Sequence, residues 1–421
     1  MTRRDMLFYL SFGAVGMLLP SAPALAASPR VMLGIDVLAS MNFAPLKGKR
    51  VGLLTHPAGV NRYGASTIDI LRRARGVRLV ALFGPEHGIY GDEKADVPVL
   101  DRIDRRTKLP VYSLYGKYRK PTPEMLKKID VLVVDLQGIG VRSYTFKSCM
   151  LRAMEACFER GKEIVVLDRP NPLGGLKVDG PPLDAQFKSY VGLFQTPYVH
   201  GLTMGELARM AKSTAGMMEI TSKQQRAGRL TVIPMRGWTR SMLWPDTGLR
   251  WIPTSPAIPS FAAVIGYAMT GLGCQIGGFQ HGYGTTYPFR FLTFPSKTPK
   301  QLAAELGRYG VRGVSFLPTV AKNSKGKKVD GLYVFADWNT MRPTELSFYM
   351  MKSACRLNGG NVFATAPKAK ALLFNKHVGS REWWLEISKK GAAADVPRFI
   401  TKWTAQAKQF QKQSARFYLY K

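Results

Sequence analysis

Two short runs constrain this chain more than anything else in it: Val131–Asp135 (VLVVD) and Glu163–Leu167 (EIVVL). Both are built from β-branched and leucine side chains, with apolar residues at odd and even positions alike. A strand that is apolar on both faces has to be covered on both faces, which points to a parallel sheet packed between helices. Related runs precede them at Arg50–Thr55 and Arg78–Gly84, with a weaker one at Val111–Leu114. Between these runs, Thr67–Arg75 and Lys147–Arg160 have helical spacing, and Pro121–Lys128 carries Thr122 as N-cap and Pro123 at the first helical position. Alternating strands and helices joined by right-handed crossovers give a doubly wound, Rossmann-like α/β layer.

From Pro170 to Pro259 the chain is rich in proline, glycine and loops. Within it, Thr203–Lys212 reads as a helix with Thr203 and Glu206 in capping-box spacing, Thr231–Met235 as a strand, and Trp251–Pro259 (WIPTSPAIP) as an irregular connecting arm. Later elements are expected at Phe289–Phe294, Thr298–Tyr309, Val311–Leu317, Gly331–Ala336, Pro343–Leu357 and the basic helix Val396–Gln413. A chain of 421 residues suits about two domains. They are placed at 27–265, Rossmann-like, and 266–421, a smaller α/β (α+β) domain that closes the cleft.

Residues 1–26 stand apart. Arg3 and Arg4 precede an apolar run from Leu7 to Leu19, and Ala24-Leu25-Ala26 follows. This is the pattern of a secretory signal of the twin-arginine type, cleaved after Ala26, with an apolar run shorter than the ~20 residues of a membrane span. The expected compartment is the periplasm. That matters for the charge: 61 Lys+Arg against 28 Asp+Glu leave a net +33, a surface that associates with polyanions. An exported chain meets the cell wall and the anionic envelope surface, so no nucleic-acid partner is expected. Oligomeric state stays open.

Of the four cysteines, Cys149 and Cys157 fall on one helix, too far apart to bridge, and a Cys274–Cys355 bridge has no support from spacing; all four are expected to be packed thiols. The chain has no G-x-S-x-G elbow, no Walker loop and no zinc motif, and Thr55-His56-Pro57-Ala58-Gly59 after the first strand is not a dinucleotide loop. No cofactor or metal is expected.

What remains is where the polar residues fall. Each strong strand of the first half ends in a polar cluster: Thr55-His56-Pro57, Gly84-Pro85-Glu86-His87-Gly88, Asp135-Leu136-Gln137 followed by Arg142 and Tyr144, and Asp168-Arg169-Pro170-Asn171-Pro172. In open parallel sheets ligands bind outside the carboxyl ends of the strands, and parallel strands point those ends the same way. The clusters are therefore expected on one rim. Glu86 is the leading catalytic candidate, a carboxyl placed to act as general acid, although a capping or salt-bridged glutamate fits the same loop. His87 would hydrogen-bond Glu86 or substrate, or be structural. Asp135 needs a partner, which Arg142 or Arg169 would supply, and catalytic and structural roles both fit. Asn171, between two prolines, suits a sugar hydroxyl or a tight turn. His200 faces the rim or caps a helix. Gly282-Tyr283-Gly284-Thr285-Thr286 is a loop able to close over the cleft from the second domain.

These clusters are also where the chain resembles the NamZ-type exo-β-N-acetylmuramidases. The matching stretches are GLLTHPAGV (52–60), LVALFGPEHGIYGD (79–92), LPVYSLYGKYRKPTPEML (109–126), IDVLVVDLQGIGVRSYTF (129–146), VLDRPNPLGG (166–175) and HGLTMGELA (200–208). The resemblance implies removal of N-acetylmuramic acid from non-reducing ends of peptidoglycan fragments, in a cleft between a Rossmann-like and a smaller domain. It implies Glu86 as general acid/base, with His87 and Asp135 beside it. Arg142, Tyr144, Asp168, Arg169, Asn171 and His200 are implied near substrate, and His56 after the first strand is a further substrate-binding candidate; where the family carries glutamates and an arginine in a glycine-rich loop, this chain departs from it with Gln275, His281 and Tyr283. Glycoside hydrolysis ordinarily uses two carboxylates, and Asp135, Asp168 or Asp92 would supply the second. A non-catalytic protein that binds peptidoglycan through the same fold is the alternative.

Overall fold

The computed structural model describes residues 31–91, 93 and 99–421; residues 1–26, expected to be a signal segment, and Asp92 lie outside them. The first domain runs α1 (Gly34–Ser40), β1 (Arg50–Thr55), α2 (Thr67–Arg73), β2 (Arg78–Gly84), β3 (Arg102–Ile103), β4 (Pro110–Ser113), α3 (Pro123–Lys127), β5 (Val131–Asp135), α4 (Phe146–Glu159), β6 (Glu163–Leu167), α5 (Met204–Ser213), α6 (Ser222–Ala227) and β7 (Arg229–Ile233). Its sheet has the order β3-β4-β2-β1-β5-β6-β7, and every neighbouring pair is parallel except β3 with β4. Leaving out β3, the strands follow the doubly wound order of Rossmann-like sheets, whose direction reverses between β1 and β5.

The two-faced apolar runs explain the layers. Val131 and Val133 of β5 join a core with Ile35, Leu38, Ile68 and Leu71 of α1 and α2. Leu132 and Val134 point the other way, into a core with Leu126 of α3, Met150 and Met154 of α4 and Leu207 of α5. Residues alternate sides along a strand, so each face of β5 supplies one layer, and every residue of it is buried. Each such side chain contributes roughly 1.5–3 kcal/mol of burial.

The second domain holds α7 (Phe261–Thr270), β8 (Phe291–Leu292), α8 (Pro299–Gly307), β9 (Val314–Lys322), β10 (Lys328–Ala336), α9 (Glu345–Leu357), α10 (Lys368–Val378), α11 (Arg381–Lys390) and α12 (Val396–Ser414). Its sheet is antiparallel, in the order β8-β10-β9. Helix α7 crosses residue 265 and packs Val264, Ile265, Ala268 and Met269 into this second core. It was not expected as a helix because FAAVIGYAMT is apolar nearly all round and has no one-sided period to recognise. The arm Trp251–Pro259 has no regular structure, as its prolines require. All four cysteines are free thiols.

The domains are tied together. Asp179 accepts from the Thr344 N–H and hydroxyl at 2.8 and 2.7 Å. The chain end returns to the first domain, where Phe417 joins its core and the Tyr420 hydroxyl donates to Asp168 at 2.6 Å.

Candidate active site

Strand β2 ends at Gly84 and the chain turns at once. The Gly88 N–H donates to the Pro85 carbonyl at 3.0 Å, with His87 at φ +70°. A non-glycine residue in the left-handed region costs backbone energy and recurs at functional turns. His87 is buried, and its Nδ1–H donates to the Glu93 carbonyl at 2.9 Å. It braces this turn, with Glu86 at the corner.

Glu86 is half-buried. The Thr145 hydroxyl, at the start of α4, donates to its Oε2 at 2.7 Å, and the Tyr115 hydroxyl lies within hydrogen-bonding reach. The Glu86 charge is also felt by Tyr144, Tyr190 and Tyr267. Burial raises the pKa of all four phenols, that of Tyr115 to about 12, so they stay protonated and able to donate. The Arg119 guanidinium sits 3.6 Å from the Tyr115 ring centroid and 4.7 Å from that of Tyr190. Among the described residues, no cation forms an ion pair with Glu86. The carboxylate is thus held by hydroxyls and walled by rings, with lone pairs to spare.

Both domains build this wall. Tyr267 comes from α7, and the Ser143 and Tyr267 hydroxyls are 3.2 Å apart. The Tyr144 hydroxyl donates to Thr254 of the connecting arm at 2.8 Å. Beyond Tyr267 lies Phe289, at 4.9 Å between ring centroids, and His281 stacks on Phe289 at 4.3 Å. His281 therefore stands behind Tyr267 with Phe289 between them, and with the exposed Tyr283 it lines a cavity of about 440 Å³ in the second domain.

His56, just after β1, is buried, and its Nε2 accepts the Gln137 N–H at 2.9 Å, which leaves the proton on Nδ1. Burial, and then the nearby Arg169 and His87, push its pKa well below the usual value, so it is neutral.

The remaining expected residues lie beneath the rim rather than on it. Asp135 is fully buried: Arg169 donates to both its oxygens at 2.5 and 3.0 Å, and Thr67 adds a third bond at 2.5 Å. Its partner is Arg169, not Arg142, and no oxygen is left for a reaction. Arg169 also donates to the Val60 carbonyl at 2.5 Å, so it fixes the loop after β1. Asp168 is fully buried and accepts from Thr203, Gly205 and Tyr420; it anchors the start of α5 and the chain end instead of meeting a sugar. Asn171 forms a local turn through Leu173 N and donates to the Leu202 carbonyl. His200 accepts from Leu202 N at 3.1 Å and lines a void of about 10 Å³, room for one water. Arg142 is fully buried and donates to the His377 and Val378 carbonyls at 3.1 and 2.8 Å. It neutralises the negative end of α10, where Gly379 turns at φ +82° and a Cβ would stand 2.4 Å from the guanidinium. Arg142 therefore joins the domains and is not a substrate ligand. Each correction has one cause: a charged residue at a strand end is also the usual way to satisfy a buried neighbour.

Thr145, Tyr115, Tyr190 and Tyr267 were not singled out from sequence. Tyr115 follows β4 at the same rim, so the strand-end rule applied to the weakest strand would have found it. Tyr190 and Tyr267 come from a loop and a helix that only the fold brings near. Among the described residues, no group of three or more His, Cys, Asp or Glu is placed to hold a metal ion.

Comparison with known proteins agrees with this architecture. Residues 51–262 match the N-terminal domain of the exo-β-N-acetylmuramidase NamZ, and residues 265–420 its C-terminal domain. The chain is 42% identical over 303 residues to the peptidoglycan β-N-acetylmuramidase NamZ of Bacillus subtilis (strain 168), covering 71% of each. Two solved structures of DUF1343 family proteins from Bacteroides fragilis NCTC 9343 resemble it. One is 41% identical with a TM-score of 0.83, covering 93% of this chain and 100% of the other. The second is 27% identical with a TM-score of 0.66, covering 93% and 99%. The chain belongs to the NamZ exo-β-N-acetylmuramidase family.

Proposed function

We propose that this chain is a periplasmic, exo-acting muramidase in which Glu86 is the general acid/base. Family membership makes it a glycosidase rather than the non-catalytic wall-binding protein that its sequence also allowed. The observation that carries the rest is Glu86 itself: the half-buried carboxylate at a strand end, held by Thr145 and Tyr115 inside a ring of phenols. In this reading Glu86 protonates the glycosidic oxygen as the bond to the anomeric carbon breaks. Its carboxylate then takes a proton from the incoming water. The Tyr144, Tyr190 and Tyr267 hydroxyls are engaged by Thr254, the Leu114 carbonyl and Ser143, so these phenols serve as fixed walls whose ring faces offer stacking surface. Asp135 and Asp168 are excluded as second carboxylates by their saturated, fully buried positions. The basic surface suits a wall polymer that bears carboxylates, and the segment 1–26 supports export.

Glu86→Gln is expected to lower release of N-acetylmuramic acid from a chromogenic muramide by about 10²–10⁴-fold while the far-UV circular dichroism stays unchanged. A Glu86→Gln protein that turns over at the wild-type rate refutes the assignment.

A further inference from the structure

Arg119 stands at the wall around Glu86, on the segment between β4 and α3 that also carries Tyr115. The basic residues on either side of it have evident partners. Lys120 pairs with Glu159 at 2.7 Å and with Glu155 at 3.9 Å, and Lys117 lies 5.2 Å from the centroid of the Tyr118 ring. Arg119 is exposed and has no carboxylate in ion-pair contact among the described residues. Its guanidinium folds back between two rings instead. It lies 3.6 Å from the Tyr115 centroid and 4.7 Å from that of Tyr190, and the two centroids are 6.1 Å apart. The turn that returns it passes Gly116, where a Cβ would stand 2.5 Å from the Val99 carbonyl oxygen.

Both rings of this clamp belong to the wall around Glu86. The buried Tyr115 hydroxyl has the Glu86 carboxylate within reach on one side and the Arg119 guanidinium on the other. A guanidinium only donates and a carboxylate only accepts. With Arg119 donating to its oxygen, Tyr115 has its own proton free for Glu86, so the hydroxyl links cation to carboxylate. The Tyr190 hydroxyl donates to the Leu114 carbonyl at 3.3 Å, which fixes that ring as the second jaw. The other groups that face Glu86 are the Thr145 and Tyr144 hydroxyls at the start of α4 and Tyr267 of α7. His87 stands beside Glu86 with Nδ1 on the Glu93 carbonyl, and the neutral His56 lies beyond it. Among these groups Arg119 alone carries a fixed charge.

We propose that Arg119 is a positioning residue for the acid/base step: through Tyr115 it aims a proton and a positive potential at the Glu86 carboxylate. This rests on the reading of Glu86 as general acid/base. A glutamic acid that gives its proton to the glycosidic oxygen is left as a carboxylate, and a hydroxyl donor backed by a cation stabilises that charge as it develops. Arg119 thereby strengthens Glu86 as an acid without touching the sugar. The cation favours the carboxylate over the acid form, so its removal lets the acid form persist to higher pH.

Two variants of the full chain test this. Arg119→Met keeps an unbranched side chain between the rings and removes the charge, and Arg119→Lys keeps the charge and gives up the planar fork. On a chromogenic muramide, Arg119→Met is expected to lower kcat by about three- to tenfold at unchanged KM. It is also expected to move the alkaline limb of the kcat/KM profile up by about half a pH unit. Arg119→Lys is expected to restore most of both. A ¹³C titration of the Glu86 carboxyl, assigned by the signal lost in Glu86→Gln, is expected to show the same upward move in Arg119→Met. A Glu86 titration unmoved by Arg119→Met, or moved equally by Arg119→Lys, overturns the proposal. So does a change confined to KM, which makes Arg119 a substrate contact. The titration needs no turnover: if Glu86→Gln stays active, the acid/base reading fails by itself, and the carboxyl signal still decides whether Arg119 acts on Glu86.

Discussion

Asp135 offers the sharpest separation of structure from catalysis. The carboxylate is 0% exposed and the Arg169 side chain 2%. Two bonds join them at 2.5 and 3.0 Å, with Thr67 on the carboxylate and Val60 on the guanidinium. Replacing Asp135 with Asn keeps the shape and one acceptor but leaves the Arg169 charge buried without a counterion. Breaking a buried pair in this way costs about 3–5 kcal/mol, and the retained acceptor argues for the lower end. An exposed pair such as Lys402–Glu382, with both side chains nearly half exposed, is worth only about 0.2–1 kcal/mol and serves as the control. Urea unfolding followed by circular dichroism and tryptophan fluorescence reads the difference, and a loss of about 3 kcal/mol is a large share of the 5–15 kcal/mol of a typical domain. The double variant Asp135→Asn/Arg169→Met should recover part of it, since partners in contact couple. An Asp135→Asn protein as stable as wild type to within about 1 kcal/mol, yet inactive on muramides, would refute the argument and return Asp135 to the reaction.

Other consequences follow from the same geometry. Tyr115→Phe removes a hydroxyl beside Glu86 and is expected to lower kcat by about tenfold without shifting the unfolding midpoint, measured on the same chromogenic muramide. Burial pushes the Asp168 pKa up to about 6, against the hydrogen bonds it accepts from Tyr420, Gly205 and Thr203. A carboxyl whose folded pKa is raised binds its proton more tightly when folded. Stability is therefore expected to fall as pH rises from about 4 to about 6, by up to about 3 kcal/mol, and then to level off. Asp168→Asn should flatten that slope in unfolding curves taken across this window.

The parallel layer was legible because its signal is local. Residues 50–55, 78–84, 131–135 and 163–167 are strands with the bounds their apolar runs suggest, since burial on two faces forces a composition no other element tolerates. The capping box at Thr203 and Glu206 likewise sits where spacing put it. The Glu86 turn was legible because parallel strands aim their carboxyl ends at one rim. Helices α7, α10 and α11 were not, because their faces are defined by neighbours distant in sequence. The roles of Asp135, Asp168 and Arg142 were open for the same reason: a charged residue at a strand end looks alike whether it meets ligand or a buried partner.

Sequence alone, then, determined the doubly wound sheet, the strand ends that carry Glu86 and His56, and the family to which the chain belongs. Periodicity and composition act over a few residues, and a strand's direction follows from its connections. Only the tertiary structure decided which polar groups face the opening. It paired Asp135 with Arg169, sent Arg142 to the end of α10, and gathered Tyr115, Tyr144, Tyr190 and Tyr267 around Glu86 from four separate segments. Desolvation sets that division: a charge removed from water takes whatever partner the packing brings within reach, and that partner is fixed by the whole fold.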